Sequence, residues 1–445
     1  MTRTTWMLLV PVLVAAAACT EDGSPNQSSS GSSEDGTLPP PGTGVGTSTS
    51  SSSSSSSGGA VDGGFTGDAS HGSDSGPPLT PAAATIRVHY PAGAHKIGVR
   101  GPTAPLAADK TTPLTAGAND TWELALGVIA QIVEYKPMLD EMPAKGPNYV
   151  VKPGQTVDIY PYFKSTKGEV VMKWENYKSK VLPSTRNIRV YTPPSYKENT
   201  VARYPVLYVH DGQTTFKASG SPNQIIDGCL EADIAMDQGV DSGKIAEAIV
   251  VGVDNGSGVT DLTGQQRSAE LTPTANAQLP SSGKGPQYAQ MMVDEIKPMI
   301  DKEYRTRTAR ESTITLGSSL GGLTAAYLAF SRGDVFGVYG SQSGSYWWDN
   351  QVIVGQGKAA IAGANKPLRV YIDYGKNEVN DPDYTNQLVV PTDAMVKVLR
   401  DGGYVDNQTL VFNVAPVPAA GSGHNSRTWG PRLPTALPFL IGPGR

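Results

Sequence analysis

Cysteine is nearly missing from this chain: two occur in 445 residues, Cys19 and Cys229. Two thiols cannot build a disulfide framework or a zinc-finger site, so stapled scaffolds and cysteine-rich metal modules are excluded. Histidine is scarce too, at five residues. Any chemistry that needs an imidazole has few places to find one. Basic residues hold no excess: 36 Lys and Arg stand against 41 Asp and Glu, for a net charge of −5. The basic footprint of a nucleic-acid binder is absent. No apolar run approaches the roughly 18 residues of a membrane-spanning helix, and no repeat of fixed period stands out.

What is present begins with an export pattern. Arg3 is followed by an apolar stretch from Trp6 to Ala18, as in a signal peptide over residues 1–19. It ends Ala16-Ala17-Ala18-Cys19, which resembles a bacterial lipoprotein box. The resemblance implies lipidation at Cys19 and an exported, membrane-anchored protein, periplasmic or at the cell surface. Residues 20–80 are Ser/Gly/Pro-rich, with an unbroken serine run from Ser50 to Ser57. Such composition cannot bury enough apolar surface to offset its ordering entropy. It is expected to be a disordered tether with an r.m.s. reach of roughly 40–45 Å. Cys229, the one thiol left in the body, reads as a small apolar core residue.

Residues 81–165 carry short β-rich runs, among them Thr85–Tyr90, Thr121–Leu124, Gln131–Tyr135 and Thr156–Tyr160, punctuated by Gly and Pro. This spacing predicts a small β-sandwich. The stretch from Gly146 to Phe163 resembles immunoglobulin-like modules that precede some esterases. From residue 166 onward, strands and helices alternate. Val206–Val209 and Ala248–Val253 are continuous apolar runs, suited to strands buried on both faces of a parallel sheet. Tyr288, Met292, Ile296, Met299 and Ile300 follow helical spacing. Further strands are expected at Ile188–Tyr191, Thr313–Leu316, Leu368–Asp373 and Thr409–Val414. Helices are expected at Gly322–Phe330, Thr392–Arg400 and up to about Leu440. The pattern predicts an α/β domain over 166–445 with a mostly parallel, doubly wound sheet.

The strand Thr313–Leu316 runs into Gly317-Ser318-Ser319-Leu320-Gly321-Gly322 and then an Ala-rich helix. A G-x-S-x-G turn between strand and helix is the setting of a nucleophile elbow. Small neighbours let the backbone turn sharply and expose the Ser319 hydroxyl. The Leu320 N–H then faces a developing oxyanion. A serine hydroxyl needs a base. His71 falls in the tether, and His89 and His95 in the sandwich, leaving His210 and His424. Chain order in this arrangement is nucleophile, acid, histidine, and His424 alone satisfies it. His210 is read as structural. Spacing leaves the acid open among Asp373, Glu378, Asp381 and Asp383.

These motifs together resemble the esterase D-like family of α/β hydrolases, which includes enterochelin esterases, feruloyl and acetyl-xylan esterases, and mycolyltransferases. The resemblance runs from Arg186 to Leu440. It rests on Tyr204–Gln213, the Gly317–Gly322 elbow, Ser341–Trp348, Gly423–Trp429 and Arg432–Leu437. It implies an α/β-hydrolase fold, and within it the enterochelin esterase-like branch. The family's Gly-x-x-Glu after the relevant strand reads here as Gly375-Lys376-Asn377-Glu378, which implies Glu378 as the acid, with Asp381 and Asp383 as alternatives. The position after Asp211-Gly212 implies the Gln213 N–H as second oxyanion donor. Arg267 resembles a residue at the mouth of such sites, with an ion pair to Glu270 as the plainer reading. Trp347 and Trp348 are candidates for stacking on an aromatic acyl group, or for the core. No metal or organic cofactor is expected. The implied substrate is a small-molecule or polysaccharide-linked ester. Two other readings stand beside the hydrolase: a surface glycan-binding lipoprotein with an inactive hydrolase domain, and an acyltransferase of the same fold.

Overall fold

The computed structural model of the protein describes residues 79–217, 228–256, 264–277, 279–378, 382–416 and 423–442. The expectations for the signal peptide, Cys19, the tether and Asp381 lie outside them.

Two facing sheets open the described chain. One is ordered β4-β5-β1-β9, with β1 Ala82–His89, β4 Thr115–Ala116, β5 Thr121–Ile129 and β9 Thr156–Ile159. The other is ordered β3-β2-β6-β7, with β2 Ile97–Arg100, β3 Thr112–Pro113, β6 Val133–Leu139 and β7 Met142–Pro143, and with β8 Tyr149–Val151 pairing β6. Alternate residues of both sheets, including Ile86, Val88, Ile97, Val99, Val133 and Tyr135, close over one apolar core. Period-two burial of this kind is what drives two half-apolar sheets together.

The rest is built on an eight-stranded sheet ordered β10-β11-β13-β12-β14-β15-β16-β17. Its strands are β10 Glu169–Lys178, β11 Thr185–Thr192, β12 Val206–His210, β13 Ile249–Val253, β14 Thr313–Ser318, β15 Val338–Gln342, β16 Arg369–Gly375 and β17 Leu410–Ala415. The first two pairings are antiparallel and the rest parallel. Alternation along each strand divides the core in two. Val206, Tyr208, Val251 and Ile372 face one layer, and Leu207, Val209, Val250 and Leu316 the other. The helices Leu320–Ser331, Trp348–Ile361 and Pro382–Asp401 cover the first face, and Ala232–Asp241 and Leu433–Ile441 the second. This is the mostly parallel, doubly wound sheet expected from the alternation of elements, in the α/β-hydrolase arrangement that the family resemblance implies.

The sandwich is fastened at one end of that sheet's strands. Glu198, in the β11–β12 connection, accepts from the Tyr90 hydroxyl at 2.8 Å and from the Phe163 and Lys164 amides. Asn199 donates to the carbonyls of His89 and Pro161. That connection lies where β12 begins, at the amino ends of the parallel strands.

Candidate active site

Ligand sites of open α/β sheets form at the carboxyl ends of the strands, and there the register brings three strands level. Ser318 of β14 pairs with Gln342 of β15, and Gln342 with Asp373 of β16. Ser319 follows directly, with φ 58° and ψ −123°. A non-glycine residue in this region is strained and persists only where its surroundings hold it. The Ser319 amide donates to the Gln342 carbonyl at 3.0 Å, and the Ser319 carbonyl accepts from the amides of Leu323 and Ser345. Gly317 has no room for a side chain, because a Cβ there would collide with the Gly321 backbone. A Cβ on Gly321 would press on Asp211 at 3.2 Å. Gly317 is thus required by close approach, while Gly321 sits in tight quarters against the Asp211 side chain.

The structure brings Ser319, His424 and Glu378 into one line. His424 Nε2 lies 2.9 Å from Ser319 Oγ, and His424 Nδ1 lies 2.8 Å from Glu378 Oε2. Glu378 is fully buried. Its other oxygen accepts from the Ser343 hydroxyl at 2.7 Å and from the Gly375 amide. Burial alone would raise the Glu378 carboxyl. The hydrogen bond and charge of His424, with these donors, outweigh it and hold the group below the usual range. Trp429 meets the His424 ring edge to face at 5.0 Å. The Gly423 amide donates to the Glu378 carbonyl at 2.9 Å, tying the histidine loop to the acid.

Of the other acid candidates, Asp373 is buried away from His424's contacts. It accepts from Arg432 Nη1 at 2.9 Å and from the Tyr371 hydroxyl at 2.9 Å. Asp383 lies in the first turn of the helix Pro382–Asp401. Arg432, 9% exposed, also donates to Ser343 Oγ at 3.1 Å and approaches Glu378 Oε1 to 3.7 Å. The sequence shows Arg432 only as the start of a helix between two prolines. Its role in this cluster depends on contacts 59 and 89 residues away.

The turn expected to carry the second oxyanion donor is braced by neighbouring side chains. Asp211 adopts a left-handed φ of 62° and opens the turn Gly212–Thr214, which contains Gln213. Arg267 clamps Asp211 with two bonds, Nε at 2.9 Å and Nη2 at 2.7 Å, and Asn255 adds a third at 2.6 Å. Burial would raise the Asp211 carboxyl, but Arg267 and Asn255 more than offset it. Arg267 therefore bonds Asp211, and Glu270 takes Arg186 in a fully buried ion pair instead. His210 is buried as expected, its ring nitrogens 2.9 Å from the Tyr288 hydroxyl and 2.7 Å from Thr315 Oγ1. Leu320 is the first residue of its helix, so its amide is among those with no intrahelical acceptor. Trp348 is 6% exposed, donates to the Thr274 carbonyl and packs in the core; Trp347 is half-buried beside it. Ser345, unremarked in the sequence, brings its hydroxyl to 3.4 Å from Ser319 Oγ. Cys229 is buried. Among the described residues no cluster of His, Cys, Asp and Glu could hold a metal ion.

Comparison with known proteins gives a consistent result. The family described as "Putative esterase" matches residues 179–440. An uncharacterized Bacillus subtilis (strain 168) protein, YbbA, is 24% identical over 268 residues, 58% of this chain and 94% of its own. An endo-1,4-beta-xylanase/feruloyl esterase of Xylanibacter ruminicola is 23% identical over 290 residues, 62% of this chain and 32% of that protein. A siderophore enterobactin esterase of Emericella nidulans is 26% identical over 136 residues, 28% of this chain and 45% of that protein.

Proposed function

The chain belongs to the Esterase family and is a carboxylic ester hydrolase, and on that premise we propose that it works through a Ser319–His424–Glu378 triad. The observation that carries this reading is the unbroken relay from Ser319 Oγ through both nitrogens of His424 to buried Glu378, at 2.9 and 2.8 Å.

In this mechanism His424 Nε2 takes the Ser319 proton as Oγ attacks the ester carbonyl. The amides of Leu320 and Gln213 hold the oxyanion of the tetrahedral intermediate. His424 then gives its proton to the departing alkoxide as the C–O bond breaks. Water, activated by the same imidazole, cleaves the acyl-enzyme and returns the proton to Ser319. Glu378 fixes the tautomer and balances the imidazolium charge.

We read the chain as a member of the enterochelin esterase-like branch, acting on an aromatic ester of the catecholate or hydroxycinnamate kind. The names of two relatives, an enterobactin esterase and a feruloyl esterase, support this reading. Half-buried Trp347, two residues beyond Ser345, is the stacking candidate. The amino-terminal sandwich is read as an immunoglobulin-like module, and Cys19 as a lipid anchor at the cell envelope. The two facing sheets support the first, and the Ala16–Cys19 pattern the second.

Turnover of p-nitrophenyl acetate tests the mechanism. Ser319→Ala is expected to lower kcat by about 10⁶-fold and Glu378→Gln by about 10⁴-fold. Unchanged turnover in Ser319→Ala would remove the nucleophile from the scheme. Feruloyl, acetyl-xylan and catecholate esters assayed side by side are expected to favour an aromatic acyl group, and preference for acetyl-xylan would overturn the substrate reading.

A further inference from the structure

A second carboxylate is buried behind the acid of the triad. Asp373 is 1% exposed and Glu378 0% exposed. Two such anions without compensation would repel each other and one would take up a proton. Between them stands Arg432, with Nη1 2.9 Å from Asp373 Oδ1 and Nη2 3.7 Å from Glu378 Oε1. The same Nη1 also donates to Ser343 Oγ, and Ser343 Oγ donates in turn to Glu378 Oε1. Trp429 Nε1 completes the set of donors on Ser343. The groups facing this cluster are His424 on Glu378, and Tyr371 with Arg432 on Asp373.

Charge counting shows what the arrangement does. With His424 neutral the cluster holds two carboxylates and one guanidinium, a net charge of −1. Protonation of His424 during the reaction brings it to zero. The buried set is therefore balanced in the state that carries the imidazolium, without making that state the resting one.

We propose that Arg432 is a positioning residue of the esterase: by bridging Asp373 and Glu378 it keeps the triad acid ionised and aimed at His424 Nδ1, with Asp373 as the counter-anion that limits its pull. The proposal rests on the triad assigned above. Arg432 touches no reacting atom.

The two partners shift the acid limb of kcat/KM in opposite directions. Arg432→Met leaves an uncompensated anion, so either His424 or one of the carboxylates binds a proton more tightly. The limb moves to higher pH by about one unit or more. Asp373→Asn brings the cluster to zero with His424 neutral and to +1 with it protonated, which disfavours the imidazolium, so the limb moves to lower pH. The double variant Arg432→Met/Asp373→Asn restores the charge and returns the limb to the wild-type position. Arg432→Lys keeps the limb in place while lowering kcat. KM for p-nitrophenyl acetate stays within about threefold throughout, since uniform binding is untouched.

The experiment is the pH profile of kcat/KM for wild type and these variants, with Ser319→Ala alongside. Profiles of Arg432→Met and Asp373→Asn that superimpose on wild type after scaling, or that move in the same direction, overturn the proposal. So does a double variant no nearer wild type than Arg432→Met. If Arg432→Met does not fold, the downward shift in Asp373→Asn decides alone. Retained turnover in Ser319→Ala instead overturns the triad itself, a result separate from any shift in the limb.

Discussion

His210 offers a prediction whose size follows from its surroundings. Burial pushes the imidazole down to about 4 from its ordinary 6.5, against the opposing pull of Asp211. The ring is neutral in the fold, where one nitrogen donates to one hydroxyl and the other accepts from the second. Because the folded value is the lower one, its contribution is complete above pH 6.5 and is lost as pH falls toward 4. Linkage puts that loss at about 2 kcal/mol between pH 7 and pH 5. Asp254 acts with the opposite sign over the same window. Burial outweighs its ion pair with Arg189 and raises the carboxyl to about 6. Its protonation therefore stabilises the fold by about 1 kcal/mol from pH 7 to pH 5. The wild-type protein should lose only the difference. In His210→Gln the compensation disappears, and stability should rise by about 1 kcal/mol as pH falls over that range. Urea denaturation at pH 7, 6 and 5 measures both trends. Equal pH slopes for wild type and His210→Gln would refute the assignment of the titration to His210.

Two further outcomes are expected. Arg267→Met frees Asp211 and loosens the turn that carries Gln213, so kcat should fall about 10–100-fold by a similar factor for acetyl and aromatic esters alike. A loss confined to aromatic esters would show that Arg267 meets the substrate instead. Cys19→Ser should abolish incorporation of labelled palmitate in a bacterial host and release the protein from the membrane fraction; persistent labelling would exclude Cys19 as the lipidated residue.

The parts of the fold that were legible in the sequence are those where burial is uniform. Val206–Val209 and Ala248–Val253 are apolar throughout because both faces of their strands are covered, and the observed strands differ by one residue at an end. The strand Val338–Gln342 was unread because only its first residues are apolar, yet it is fully buried, with Ser341 and Gln342 carried into the core by the site they serve. The helix Pro382–Asp401 starts ten residues before the expected Thr392, since packing overrides the break that Pro391 signals. The helix Trp348–Ile361, with left-handed backbone at Asp349, Asn350 and Gln351, left no regular apolar period to read.

The site divides along the same line. Ser319 was legible because the elbow is local, and His424 because histidine is rare enough for elimination. Glu378 needed a family resemblance, since four carboxylates crowd the end of one strand. What separates Glu378 from Asp373 is the side of Arg432 on which each lies, a tertiary fact. Ser343 and Ser345 carry no signal of their own in a chain rich in serine.

The sandwich is bolted to the amino ends of the parallel strands, and Ser319, which directly follows β14, stands at their carboxyl ends. A five-residue strand such as Val206–His210 separates the two by about 15 Å of closely packed sheet. The contacts that fasten the sandwich and those that shape the elbow thus lie on opposite ends of the same strands.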